Sequence, residues 1–247
     1  MFRAATSKLF LAAAICYSWA SAATYTVYLH AGTNTPELRK LVARLLPQES
    51  PEAQPECRFV EVKASCANME EAEAIASAME AGVTHMPSLV LSDDKGAYAT
   101  LLLRGLKSQA ITEAAATATA PDREQKSEQQ RYHARLYRLF ARCKYDSATA
   151  EQLSPLVDEC RGLLTHHLCT PEQQQLIGLR CLYPLLMKQY TLGYKGAHTP
   201  ATEAKLLEAI AALEAARDLD PESAIGKDAH DERHRLRMAR REARKYE

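Results

Sequence analysis

Several signatures are missing from this 247-residue chain. None of its seven cysteines is spaced Cys-x-x-Cys, which removes the usual dithiol redox motif and the paired ligands of a zinc ribbon. Glycine is scarce, nine residues in all, with no Gly-rich phosphate loop. Nucleophile elbows, metalloprotease helix motifs and convincingly paired carboxylates are missing too. Neither charge sign is in excess: 31 basic residues stand against 31 acidic ones. No global field therefore draws the chain to nucleic acid or to an anionic membrane. No cofactor and no metal is expected from this inventory.

The N-terminus does carry a pattern. Arg3 and Lys8 precede an apolar stretch at 9–19 and the small-residue run Ala20-Ser21-Ala22-Ala23, the three parts of a cleaved export signal. The stretch is shorter than the ~20 apolar residues a bilayer span needs. Residues 1–22 are thus expected to leave, cleaved near Ala22, giving an exported protein that is periplasmic or secreted. Lipid attachment at Cys16 is disfavoured by bulky Ile15 before it. Cleavage leaves 29 basic residues against 31 acidic ones and the cysteines Cys57, Cys66, Cys143, Cys160, Cys169 and Cys181. An even number in an exported protein permits disulfides.

Residues 23–118 alternate strand and helix signals, predicting an α/β domain. A strand at 25–31 leads to Thr35, which can cap a helix with Pro36 in its first turn and Leu38, Leu41, Val42 and Leu45 on one face. Residues 58–63 alternate as a second strand. The next helix carries Ala72, Ile75, Ala76 and Met79 and closes at Gly82. Residues 88–91 form a short apolar strand, and the turn Asp93-Asp94-Lys95-Gly96 returns the chain as a hairpin. A last helix runs from Ser108 to Ala118.

Met86-Pro87-Ser88 before the third strand, Gly96 in the turn after it and Gly105 after the fourth strand occupy the places of a cis-proline step and two glycines in the thioredoxin family. Laid on that family's Trp-Ala, His30-Ala31 sets Asn34-Thr35-Pro36-Glu37 on its Cys-Gly-Pro-Cys. Residues 24–118 thus resemble a thioredoxin-like domain that keeps the proline and has lost both cysteines. Thiol exchange needs an attacking thiolate and a resolving sulfur, so Asn34 and Glu37 exclude that chemistry here. What the resemblance implies instead is a shallow groove for an extended peptide or a partner protein, faced by Thr33, Asn34, Glu37, His85, Met86 and Pro87. The plainer account of the same residues is a good helix start and a fold-determining proline.

A polar break, expected as a linker at 119–130, precedes an all-helical domain at 131–247. Five amphipathic helices are predicted, two opened by Thr170-Pro171-Glu172-Gln173 and Thr199-Pro200. Pro184 is expected to kink or end the third. Ala209, Leu213, Ala216 and Pro221 have the spacing of a tetratricopeptide second helix, so this half resembles a degenerate helical-hairpin array. A plain five-helix bundle fits equally.

Cys57 and Cys66 flank a strand and are too far apart to pair. Cys160 and Cys181 are expected at matching heights on a helical hairpin, with Cys160–Cys169 a shorter-range alternative, so one disulfide is predicted among these three. With His166 or His167 they could instead offer zinc ligands, a weaker reading without Cys-x-x-Cys. The run Arg233, Arg235, Arg237, Arg240, Arg241, Arg244 and Lys245 is interleaved with acids and reads as a solvated helix face. These features favour peptide or protein binding, or scaffolding, over catalysis. Two enzyme alternatives stand beside it. One is glutathione chemistry, because Ser108-Gln109-Ala110-Ile111 resembles a helix start of glutathione transferases; the other is thiol oxidoreduction through Cys66.

Overall fold

The computed structural model describes residues 24–46, 57–93, 96–116, 123–145, 149–194 and 199–243. The expected export signal and its cleavage point lie outside them. The chain forms two compact units, Met1–Arg135 and Leu136–Glu247.

The first unit holds a four-stranded mixed sheet in the order β2-β1-β3-β4. Its strands are β1 (Thr24–His30), β2 (Cys57–Val62), β3 (Ser88–Asp93) and β4 (Gly96–Leu102). β1 runs parallel to β2 and antiparallel to β3, while β3 and β4 form the predicted hairpin. Strand periodicity sends Tyr25, Val27 and Leu29 to one face. There they pack with Leu89 and Leu91 against Val42 and Leu46 at helix α1 (Pro36–Leu45) and Ile111 of α3 (Ser108–Ala116). The opposite face presents Tyr28, Val62 and Val90 to Ala78 of α2 (Met69–Glu80) and to Ala81 just beyond it. Helices thus cover both faces, and each fully buried Leu or Val contributes about 1.5–3 kcal/mol through removal from water.

The caps fall where the side chains dictate. Thr35 and Asn68 each accept a hydrogen bond from the amide three residues on, at 3.3 and 2.9 Å, satisfying donors that α1 and α2 would otherwise leave bare.

Helix α4 (Arg123–Tyr145) is one continuous element, so residues 123–130 are helical and not the expected linker. Glu124, Gln125 and Lys126 are good helix formers, which lets the helix begin well ahead of its apolar residues. In the second unit follow α5 (Ala150–Leu164), α6 (Pro171–Ile177), a π-helical segment (Gly178–Leu182), α7 (Tyr183–Gly193), α8 (Pro200–Leu219) and α9 (Ala224–Ala243). Pro184 does not end the helix. It lacks the N–H an α-turn would use, and the wider turn, in which the Tyr183 amide bonds the Gly178 carbonyl, carries the helix past it. Gly178 also permits close packing: a Cβ there would sit 3.1 Å from that of Ala216. The core includes Leu179, Leu213, Ala216 and Ala229.

Gln175 is a buried polar hub. Its Nε2 donates to the carbonyls of Ala216 and Asp220 at 2.9 and 3.0 Å, and its Oε1 accepts from Ser223 at 3.2 Å. One amide thereby ties α6 to the corner between α8 and α9. Among the described residues, no helix is long and apolar enough to cross a membrane.

Candidate functional site

The antiparallel register Tyr28↔Ser88 fixes the geometry of the predicted groove. β1 runs two residues beyond Tyr28 before turning at Ala31, and Pro87 immediately precedes Ser88. The segments 31–37 and 85–87 therefore emerge at the same end of the sheet. Ser88 also pairs with Leu102, which brings the exit of β4 to that end as well.

The first segment is built by local bonds. Gly32 turns the chain at φ 79°, a left-handed backbone that favours glycine, and its amide donates to Glu61 Oε2 at 3.0 Å. The Thr33 hydroxyl donates to the His30 carbonyl at 2.6 Å. Asn34 is half-buried and its Oδ1 accepts from Arg39 Nε at 2.8 Å. Arg39 in turn lies over the Phe59 ring, 5.0 Å from its centroid. Asn34 thus fixes the loop, while Thr33 and Glu37 are exposed.

In the second segment the Met86–Pro87 bond is cis, the form the resemblance implies. His85 is exposed, its Nδ1 lying 3.0 Å from the Thr84 hydroxyl. Its carbonyl accepts from Ser88 Oγ at 2.6 Å. Met86 packs its side chain against the cluster of Tyr28, Val62 and Val90. The Pro87 carbonyl is taken by the Leu103 amide at 3.1 Å. No backbone hydrogen bond joins Met86 to another described residue.

Beside Leu103 lies an open recess of roughly 430 Å³, lined by Leu102, Arg104, Gly105, Leu106, Lys107 and Gln109 among others. It was not foreseen from sequence. An exposed leucine next to two cations was its only signal, and that combination is common on ordinary surfaces.

No protein-family model, curated protein or solved structure matches this chain. What the site can do must be read from its own residues. They supply two basic side chains, Arg104 and Lys107, apolar surface at Leu102 and Met86, and a bare stretch of backbone. The side chains of 33–37 and 85–87 include no thiol.

The predicted disulfide residues are thiols throughout. Cys160 and Cys181 are both fully buried. Cys169 is half-buried and directs its sulfur at the Thr170 carbonyl, 3.9 Å away. Cys143 on α4, not singled out from sequence, is half-buried, and interaction with Cys160 and Cys181 holds its thiol below the ordinary range. Cys57 and Cys66 form no disulfide with each other. Burial pushes the Cys57 thiol up to about 11.

The basic face of α9 is neutralised by acids. Arg233 and Arg237 both meet Glu214, Arg240 meets Glu203, and Arg235 meets Glu232. Arg244 and Lys245 lie outside the described residues.

Proposed function

We propose that the first unit is a redox-inactive thioredoxin-like domain that binds an extended peptide or partner segment at the sheet end formed by residues 31–37, 85–87 and 102–107. On this reading the protein is exported, and its helical unit serves as an interaction scaffold in the cell envelope. The strand order β2-β1-β3-β4 with an antiparallel β3–β4 hairpin supports it. So does the replacement of both family cysteines by Asn34 and Glu37 at the start of α1.

The observation that carries the binding mode is the backbone of Met86. It lies between a carbonyl at His85 already bonded to Ser88 and a carbonyl at Pro87 already bonded to Leu103. Of the three, Met86 alone has both an amide and a carbonyl with no hydrogen-bond partner among the described residues. An extended segment can pair there in the manner of strand addition, with side chains reaching Leu102 and the Arg104–Lys107 pair.

The test is titration of the mature full-length chain with a labelled, unfolded probe, reduced and carboxymethylated lactalbumin, followed by fluorescence anisotropy. Met86→Arg and Glu37→Lys should each weaken binding about tenfold, near the 1.4 kcal/mol that separates decades of affinity. Unchanged binding in both variants, with unaltered circular dichroism, would sink the groove. Intact mass of the protein recovered from its native envelope should begin at Ala23; a retained N-terminus counts against export by signal cleavage.

A further inference from the structure

Resting on the groove proposed above, we infer that the sheet end selects its segment by charge order, taking a basic side chain beside Glu37 and an acidic one in the recess at Arg104 and Lys107. Glu37 follows β1 and the two cations follow β4, while Met86–Pro87 leads into β3, the strand between those two. Opposite charges therefore flank the backbone with which a bound segment pairs.

Glu37, Arg104 and Lys107 are all exposed, and none of their side chains makes a hydrogen bond or ion pair among the described residues. Neighbouring charges are already engaged. Arg39 is held by Asn34 and lies over the Phe59 ring, and Lys63 is paired with Glu71 at 2.6 Å. Glu61, whose Oε2 accepts from the Gly32 amide, adds a second acid on the β1 side. On the other side Glu113 also lines the recess, but its Oε1 accepts from Gln109 Nε2 at 2.9 Å. One acid against Arg104 and Lys107 leaves the recess net positive. Helix α3 opens beside it with no acidic residue in its first turn, so the positive end of the helix dipole adds to the two cations.

Exposed charges of this kind hold a free ion only weakly, because water and salt screen them. A charged side chain on a segment already paired at Met86 arrives at high effective concentration instead. The occupant is therefore a peptide carrying both signs, not a loose anion. Rejection works alongside attraction. An acid brought beside Glu37, or a base brought into the recess, meets its own sign, so a segment of uniform charge loses at one flank what it gains at the other.

The test titrates the mature full-length chain with short, end-blocked, fluorescently labelled peptides that differ only in the two residues flanking a central valine: lysine and glutamate in either order, glutamate twice, lysine twice, or glutamine twice. The better mixed order should bind about tenfold more tightly than either uniformly charged peptide, and the margin should shrink as salt is raised. Glu37→Gln should recover the binding of the double-glutamate peptide, and the double variant Arg104→Gln, Lys107→Gln that of the double-lysine peptide. Those opposite responses are a signature that misfolding does not imitate, and the wild-type ranking decides alone if a variant fails to fold. Three results overturn the charge order: equal binding of all the peptides, tightest binding of the double-glutamate peptide, or an equal gain when only the C-terminus of the glutamine peptide is unblocked, which would mean capture of a chain end. If the glutamine peptide and the carboxymethylated lactalbumin bind without any charge ranking, the groove stands and the charge order alone falls. Absence of binding by every probe removes both.

Discussion

The sheet end of the first unit and the thiols of the second invert each other's chemistry. At the sheet end, in the register where the thioredoxin resemblance expects a dithiol, stand Asn34 and Glu37, and the features on offer are backbone, apolar surface and two cations. In the helical unit, where hydrophobic periodicity announces only packing, Cys160 and Cys181 are fully buried and Cys143 is half-buried. Reactivity is a matter of which groups converge and which of them water can reach. A recognisable loop guarantees neither.

The contrast can be broken most forcefully through the cores. Leu89 in the sheet and Leu213 in α8 are both fully buried, so truncation to alanine removes transfer free energy and leaves a cavity. Each change should cost about 2–5 kcal/mol in denaturant melts. Losses under about 1 kcal/mol would mean that the site relaxes and the core assignment is wrong.

Differential alkylation sharpens the comparison next. Cys143 is held below the ordinary thiol range by hydrogen bonds from Cys160 and Cys181, so its thiolate survives as pH falls. Cys57 in β2 is raised to about 11 by burial, so its thiolate is scarce until the solution is strongly alkaline. At about pH 6, iodoacetamide should label Cys143 on the order of 100-fold faster than Cys57, after allowing for the lower intrinsic nucleophilicity of a low-pKa thiolate. Equal rates would erase the distinction between the two regions' sulfurs.

Gln175→Leu removes an amide whose partners are carbonyls of Ala216 and Asp220 and the hydroxyl of Ser223. Stranding those groups should cost about 1–3 kcal/mol, visible as a shifted midpoint with unchanged slope. At the small end, Arg240→Ala breaks a partly exposed pair with Glu203 and should move stability by under about 1 kcal/mol. A larger loss there would recast the basic face of α9 as part of the folding core.

Elements that announce themselves through local chemistry were legible in the sequence. Thr35-Pro36, Thr170-Pro171 and Thr199-Pro200 open helices in the structure as their hydroxyls and prolines require. The alternation of Tyr25, Val27 and Leu29 correctly marks one sheet face. Properties that depend on neighbours distant in sequence were not legible. Periodicity shows which face of a helix is apolar and is silent on which helices meet, so Cys143 could not be joined to Cys160 and Cys181. The continuation past Pro184 was hidden for a related reason: a proline's missing donor is visible, but the backbone's means of absorbing it is a property of the whole turn. The recess beside Leu103 depends on β4 pairing with β3, a contact that residue types alone do not specify.

The swollen turn at Gly178–Leu182 has an evolutionary consequence. Its wider ring accommodates one residue more than regular winding would, so the stretches before and after it keep their rotational phase, about 100° per residue, despite the surplus. Deleting a single residue there would restore ordinary winding without rotating Gln175 away from its carbonyls. Length variation in descendants of this chain should therefore concentrate at this point of the helix, where a gain or loss is locally absorbed.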